Sequence, residues 1–224
     1  MSTEWTPYWQ DVRNLRWTVV DQVVLEKVAG LLGWGPTRSL LELGAGRGLH
    51  SRRLYETMRC DRPDLYEVSP EMLAYMKRQG LNAIGDEREL RRQYDIVWSY
   101  GVPEHFEGPE RQAIIDRHFE LAREWVVLVI PRRTWARRAF GRRDRVGAHD
   151  FTEAELRARL RAGAEKHWSD SPAGIEHRAE AFCPLFGIRH VPDALYPVAE
   201  KLIGWALPGG LLIGHARRTV QDRG

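Results

Sequence analysis

The stretch SLLELGAGRGLHSRRL, residues 39–54, reads as an apolar strand, three glycines within five residues, and the start of a helix. Glycine has no Cβ, so such a turn brings bare main chain close to a ligand. A dinucleotide, a nucleoside triphosphate, or a ligand without phosphate could each use it. A triphosphate loop needs a Lys-Ser/Thr pair after its last glycine to hold phosphate and magnesium. Here Gly48 is followed by Leu49 and His50, which excludes that mechanism. The dinucleotide fingerprint GxGxxG also fails, because Leu49 stands where its third glycine belongs. Glu42 adds an anion shortly before Gly44, unfavourable beside a pyrophosphate and acceptable beside a cation.

Outward from this turn, strands and helices alternate. Upstream, Val20, Val23, Val24, Val28, Leu31 and Leu32 share a helix face that ends at Gly33. Downstream, a helix over 49–58 leads to the strand DLYEV. SPEMLAYM then opens a helix with Ser69 as N-cap and Pro70 at its first position. LNAIGD, YDIVWSY and EWVVLVI read as strands three to five, the fifth apolar throughout, as central parallel strands tend to be. Between the last two, residues 109–122 predict a helix burying Ile115, Phe119 and Ala122. Thr152 and Glu155 form a capping box for a helix closed by Gly163. A sixth strand is expected near Glu165, then a helix after Pro197 burying Val198, Leu202 and Trp205, and GGLLIGHA as the last strand. This alternation implies an α/β fold: a doubly wound, mostly parallel sheet with helices on both faces.

A chain of 224 residues suits one domain with a full core. Lys and Arg number 34 against 31 Asp and Glu, a net +3 that selects no polyanionic partner. Cys60 and Cys183 lie far apart outside any CxxC pattern, so neither a disulfide scaffold nor a zinc site is expected. MSTEWTPYWQDVRN lacks the pattern of a secretory signal, and no apolar run is long enough to span a bilayer. The expectation is a soluble cytoplasmic protein without a membrane partner.

ELGAGRG resembles motif I, E/DxGxGxG, of the class I S-adenosylmethionine-dependent methyltransferases. The similarity continues in order through YEVSPEML, NAIGD and YDIVWSYGVPEHF, over about residues 38–130, and more weakly in HDFTEAELRARLRAGA. The resemblance implies a Rossmann-like sheet of seven strands with the last antiparallel, S-adenosyl-L-methionine as cofactor, and methylation as the reaction. It also implies one methyltransferase domain: a helical cap over 1–36, a cofactor-binding core over 37–130, and substrate-side and C-terminal strands over 131–224.

The cofactor carries a ribose diol, an adenine, a zwitterionic amino acid and a sulfonium cation, and no phosphate. Glu67, ending the second strand, is expected to accept both ribose hydroxyls, each charge-assisted bond worth about 1.5–3 kcal/mol. Val68 and Met72 would flank the adenine, and by resemblance Asp86 meets its amino group, with the main chain of Glu87 adding a contact. The main chain of Gly44 and Gly46, in the turn with Ala45 and Gly48, and of Ser99 and Tyr100 at the end of strand four would face the methionine part. Glu42 either touches the cofactor or orients the turn.

Methyl transfer is an in-line displacement, in which positioning alone is worth an effective molarity of about 10⁵–10⁸ M. A general base helps only where the acceptor loses a proton. His105 and Glu104 in YGVPEHF are the catalytic candidates, His105 having an ordinary pKa of about 6.5 suited to a base. Adjacent residues diverge in an extended segment, so Glu104 and His105 do not suggest a metal site. Trp5, Tyr8, Trp9 and Trp17 either cap the sulfonium and an apolar acceptor or staple the first helix, and Tyr8 and Arg13 are candidates for the cofactor carboxylate. RRTWARRAFGRRDR, residues 132–145, carries seven arginines against one aspartate. It reads first as a solvated loop beside the site, next as a contact for an anionic substrate or carrier, with nucleic acid third.

The expected function is methyl transfer to a small-molecule O, N or C acceptor, by a monomer or homodimer that does not bind nucleic acid. A catalytically silent cofactor-binding regulatory or partner protein is the alternative. An NAD-dependent oxidoreductase is disfavoured by Leu49.

Overall fold

The computed structural model of the chain describes residues 17–33, 38–58, 60–90, 93–134, 149–169, 175–183, 193–196, 198–199 and 209–218. Helix α1 (Val19–Leu32) starts at Thr18, whose hydroxyl accepts the Asp21 N–H while the Asp21 carboxylate accepts the Thr18 N–H. This reciprocal capping box satisfies donors that the first helical turn leaves open. Gly33 ends the helix at φ 66°. Strand β1 (Leu40–Leu43) is buried throughout, and the glycine turn leads from it into α2 (Leu49–Thr57). Strand β2 (Asp64–Tyr66) follows, then α3 (Pro70–Arg78), capped by the Ser69 hydroxyl with Pro70 in its first turn. After β3 (Asn82–Ile84) and β4 (Tyr94–Tyr100), α4 (Gly108–Leu121) passes directly into β5 (Ala122–Pro131). Helix α5 (Glu153–His167) and the strands β6 (Ile175–Phe182) and β7 (Leu211–Arg218) complete the order.

The seven strands form one sheet in the order β3-β2-β1-β4-β5-β7-β6. Neighbours from β3 through β5 are parallel, and β7 runs antiparallel to both β5 and β6. The direction of winding reverses between β1 and β4, which opens a crevice at their C-terminal ends. On one face α4 and α5 bury Ile115, Phe119, Leu156, Leu160 and Trp168 against Val97, Val126 and Leu128. On the other, α1 and α2 bury Val24, Val28 and Leu54 against Ile96, Trp98 and Val127. Val97 thus faces away from Ile96 and Trp98, the two-residue alternation of a strand buried on both sides. No helix among the described residues is long and apolar enough to cross a membrane.

Five local expectations are corrected. Helix α5 does not stop at Gly163 but continues to His167. A Cβ on Gly163 would lie 2.5 Å from the Phe119 ring, so this glycine admits a neighbour instead of ending a helix. Strand β6 consequently begins at Ile175, since the chain near Glu165 is still helical. Only half of the Thr152 capping box forms: the hydroxyl accepts the Glu155 N–H at 3.1 Å, while the Glu155 carboxylate turns to Arg111 and Arg159. Ala122 is buried but opens β5 instead of ending α4. Of the residues expected to be buried after Pro197, Val198 is exposed, and Leu202 and Trp205 lie outside the described residues.

Gly163→Ala should gain about 1 kcal/mol in helix propensity yet lose about 1–3 kcal/mol overall, because the Phe119 ring must move to admit the methyl. Urea unfolding of the purified variant measures the net sign.

Candidate functional site

The glycine turn lies at the mouth of the β1–β4 crevice. Gly44, Gly46 and Gly48 have φ of 67°, 53° and 66°, a left-handed region that other residues enter at a cost. A Cβ at Gly44 would stand 2.5 Å from Val102 Cγ2, so the segment after β4 packs directly on the turn. Beneath Gly48 the corresponding space is filled by Leu65 Cδ1 at 2.5 Å and Met76 Sδ at 3.0 Å. The Gly48 N–H donates to the Ala45 carbonyl at 2.7 Å, and the Ala45 N–H to the Tyr66 carbonyl at 3.0 Å. Gly48 therefore spends its amide on the turn itself and Ala45 on the end of β2, and Gly46 directs its amide elsewhere.

That direction is Glu67. Its Oε2 accepts the Gly46 N–H at 2.8 Å, and its Oε1 accepts the N–H groups of Val68 and Ser69, each at 2.8 Å. The carboxylate is 6% exposed and joins the end of β2 to the turn after β1. A carboxylate offers about four lone-pair sites, so one acceptor site on Oε2 is left over. Val68 beside it is 46% exposed, a large apolar side chain facing solvent next to a buried carboxylate, and Met72 is buried below.

Glu42 points from β1 under the first turn of α2, where Ser51 hydrogen-bonds it through both side chain and main chain. Gly48 provides no capping side chain, so this carboxylate acts in its place. Ser51 Oγ also accepts the Trp98 indole N–H at 2.9 Å. Glu42 Oε2 remains buried with no hydrogen-bond partner. Burial pushes the Glu42 carboxyl up to about 7; His50 and the Ser51 hydrogen bonds pull against it, and Glu67 adds to the rise.

His50, which the sequence pattern did not single out, lies close to the turn in the first turn of α2. Its Nε2 lies 3.0 Å from Asp21 Oδ1, and Asp21 Oδ2 is held by the Thr18 N–H and hydroxyl, both at 2.7 Å. Burial works against the Asp21 carboxylate, but His50 and Thr18 outweigh it and hold the group below its ordinary pKa. The local signal was the Thr18–Asp21 cap; that the same aspartate also meets α2 depends on how the helices pack.

The remaining predicted residues are placed as follows. Asp86 caps a short 3₁₀ turn through the Arg88 N–H at 2.9 Å and is ion-paired with the Arg88 guanidinium, at an exposed position. The Arg88 bonds hold its carboxyl below the ordinary value. Glu87 pairs with Arg117 at 2.6 Å. Ser99 is buried and donates its hydroxyl to His118 Nε2 at 2.9 Å, so its side chain faces α4 and only its main chain borders the crevice. His118 Nδ1 donates to the Ile114 carbonyl, and burial drives this imidazole down to about 4. Tyr100 presents its ring edge-on to His50, centroids 5.0 Å apart. Glu104 and His105 occupy a 3₁₀ turn (Pro103–His105) instead of an extended segment, where successive side chains still diverge by about 120°. Glu104 is buried, with Oε1 beside Gly101, and its carbonyl accepts the His149 N–H at 2.8 Å. Tyr8 and Arg13 lie outside the described residues. Among the described residues no three His, Cys, Asp or Glu side chains cluster as metal ligands.

The Glu42 carboxyl gives a pH signature. Between the ordinary 4.5 and about 7, the folded chain holds a proton that the unfolded chain has released, so stability falls as pH rises through that window. Glu42→Gln removes this loss: relative to wild type, the variant should gain on the order of 2 kcal/mol on going from about pH 5 to about pH 8. Urea unfolding of both proteins at the two pH values is the measurement.

No family model matches the chain, and no curated protein matches its sequence. Solved structures do match. The chain is similar to magnesium protoporphyrin IX methyltransferase from Synechocystis PCC 6803 with bound SAH (S-adenosylhomocysteine). The TM-score is 0.61 and the identity 16%, over 89% of this chain and 82% of that one. It is similar to a SAM-dependent methyltransferase from Archaeoglobus fulgidus, with a TM-score of 0.61 and 14% identity, over 88% and 94% of the two chains. It is also similar to the plantazolicin methyltransferase BamL, in complex with a triazolic desmethylPZN analog and SAH. There the TM-score is 0.58 and the identity 15%, over 80% and 76%. At such identities the likeness is one of backbone architecture. The chain has the fold of the class I S-adenosylmethionine-dependent methyltransferases.

Proposed function

We propose that the chain binds S-adenosyl-L-methionine in the β1–β4 crevice and transfers its methyl group to a small-molecule O, N or C acceptor. The observation that carries this reading is Glu67, buried at the end of β2 and tied to Gly46, with one acceptor site unused. A diol hydroxyl can donate to that site, and a carboxylate already held by three amides receives it without reorganising. Exposed Val68 and buried Met72 supply an apolar shelf for a nucleobase beside it. Asp86 is the candidate for the adenine amino group, with the main chain of Glu87 beside it. The acidic lining, Glu42 with Glu67, suits a cation and opposes a pyrophosphate.

When bound, the cofactor supplies an activated methyl group on a sulfonium. The chain's own part is to hold that group and the acceptor in line. Glu104 and His105 stand on the segment after β4 that packs on Gly44 through Val102, and they are the candidates for receiving an acceptor's proton. Tyr8 and Arg13 are candidates for the amino-acid end. Two structural neighbours, a magnesium protoporphyrin IX methyltransferase and a plantazolicin methyltransferase, support a small-molecule acceptor.

Isothermal titration with S-adenosylhomocysteine should give saturable binding, with none for NADH. Glu67→Ala should weaken that binding about tenfold or more. Labelled methyl transfer from S-adenosylmethionine into a small-molecule extract should yield a labelled product. Absence of S-adenosylhomocysteine binding would sink the reading, and binding without transfer would favour a catalytically silent protein.

A further inference from the structure

His50 enters the sequence argument only as a residue that denies the turn a phosphate-loop Ser/Thr, and the function proposed above leaves it without a role. Its surroundings are specific. It stands in the first turn of α2, shortly after Gly48, with Nε2 on Asp21. A carboxylate cannot donate, so Nε2 carries the proton of that bond. Asp21 is 9% exposed and is clamped on its other oxygen by Thr18, so the imidazole has a fixed partner behind it. Nδ1 has no hydrogen-bond partner among the described residues. Trp17 and Tyr100 hold the ring at centroid distances of 5.1 and 5.0 Å, and Tyr100 is the last residue of β4. The imidazole therefore borders the crevice where β1 and β4 part.

The charges around it decide what it could hold. Glu42, 2% exposed, and Glu67 make this wall acidic, and Glu42 Oε2 has no hydrogen-bond partner. An amino-acid zwitterion brings an ammonium that such carboxylates attract and a carboxylate that they repel. The second end needs a donor of opposite charge. Arg47, the other basic residue of the turn, is buried with contacts of its own. An imidazolium between Asp21 and a ligand carboxylate would give one N–H to each.

We infer that His50, oriented by Asp21, binds the α-carboxylate of the methionine part of the cofactor. This assignment rests on the cofactor reading above. It moves the anchor of the amino-acid end from the N-terminal segment to the first turn of α2, with Asp21 as a positioning residue.

The test is isothermal titration with two ligands: S-adenosylhomocysteine and its decarboxylated counterpart, which keeps nucleoside, thioether and amine. Wild type should prefer the carboxylated ligand by about tenfold or more. His50→Gln can still reach Asp21 but offers nothing at the Nδ1 position. It should lose the preference while binding the decarboxylated ligand as wild type does, which also reports an intact fold. His50→Asn, whose amide lies near the Nδ1 position, should keep part of the preference. Asp21→Asn should reduce it and leave the decarboxylated ligand unaffected. A preference unchanged in His50→Gln, or an equal loss for both ligands, overturns the assignment. Wild-type binding of both ligands without preference also overturns it and leaves the cofactor reading standing. Wild-type binding of neither overturns both.

Discussion

Three main-chain N–H groups converge on the carboxylate of Glu67, from Gly46 across the turn and from Val68 and Ser69 beside it. Each would cost about 1–3 kcal/mol if buried without an acceptor. The glycine turn has the internal bond from the Gly48 N–H to the Ala45 carbonyl, and its three left-handed glycines bring no side chains to fix its course. Its shape is imposed by β2 and α3: Glu67 takes one amide, the Tyr66 carbonyl takes the next, and Leu65 and Met76 fill the space under Gly48. The turn, the mouth of the crevice and the start of α2 all depend on that carboxylate. The same group is left with one acceptor site unused.

Around this knot the main chain repeatedly borrows side chains from neighbouring elements. Helix α2 begins at a glycine without a cap, and Glu42 from β1 fills that role through Ser51, which in turn receives the Trp98 indole N–H. Asp21 caps α1 and also reaches His50 on α2, fastening the two helices on one face of the sheet. The result is a wall with three buried carboxylates and an imidazole. Such a wall costs desolvation energy, and the raised Glu42 carboxyl registers that cost. A cationic ligand relieves it, whereas a pyrophosphate would add to it.

The opposite side of the crevice is built by reach instead of by turn. Arg111 on α4 donates to the Phe106 carbonyl at 2.7 Å and to Glu155 on α5 at 2.8 Å, and it lies 4.3 Å over the Phe151 ring. Phe151 bridges to Arg132 past the end of β5, and the His149 N–H holds the Glu104 carbonyl. One buried guanidinium thus links the segment carrying Glu104 and His105 to two helices and to the chain that returns before α5. Planar, multidentate donation lets a single arginine do this, where a lysine would supply only a point charge.

Much of this was legible before any coordinates, for local reasons. Caps, proline at a first helical position and two-residue alternation are all properties of residues within a turn of each other. Ser69 with Pro70, Gly33 and the strands YDIVWSY and GGLLIGHA therefore announced themselves in the sequence, as did a glycine turn unsuited to phosphate. What only the tertiary structure decided involves partners far apart in the chain. Gly163 looked like a stop because glycine often is one, but its reason is a Phe119 ring on another helix. Ser99 was read for its main chain, and the partner of its hydroxyl, a histidine on α4, appears only in the fold. His50 carried no local signal, and it gained its partner only when α1 brought Asp21 against it. By itself the sequence determined where elements begin and what each turn can tolerate, because those are contacts between near neighbours. Which side chains share a site was decided by packing, because hydrogen bonds between distant residues exist only after the sheet has brought its helices together.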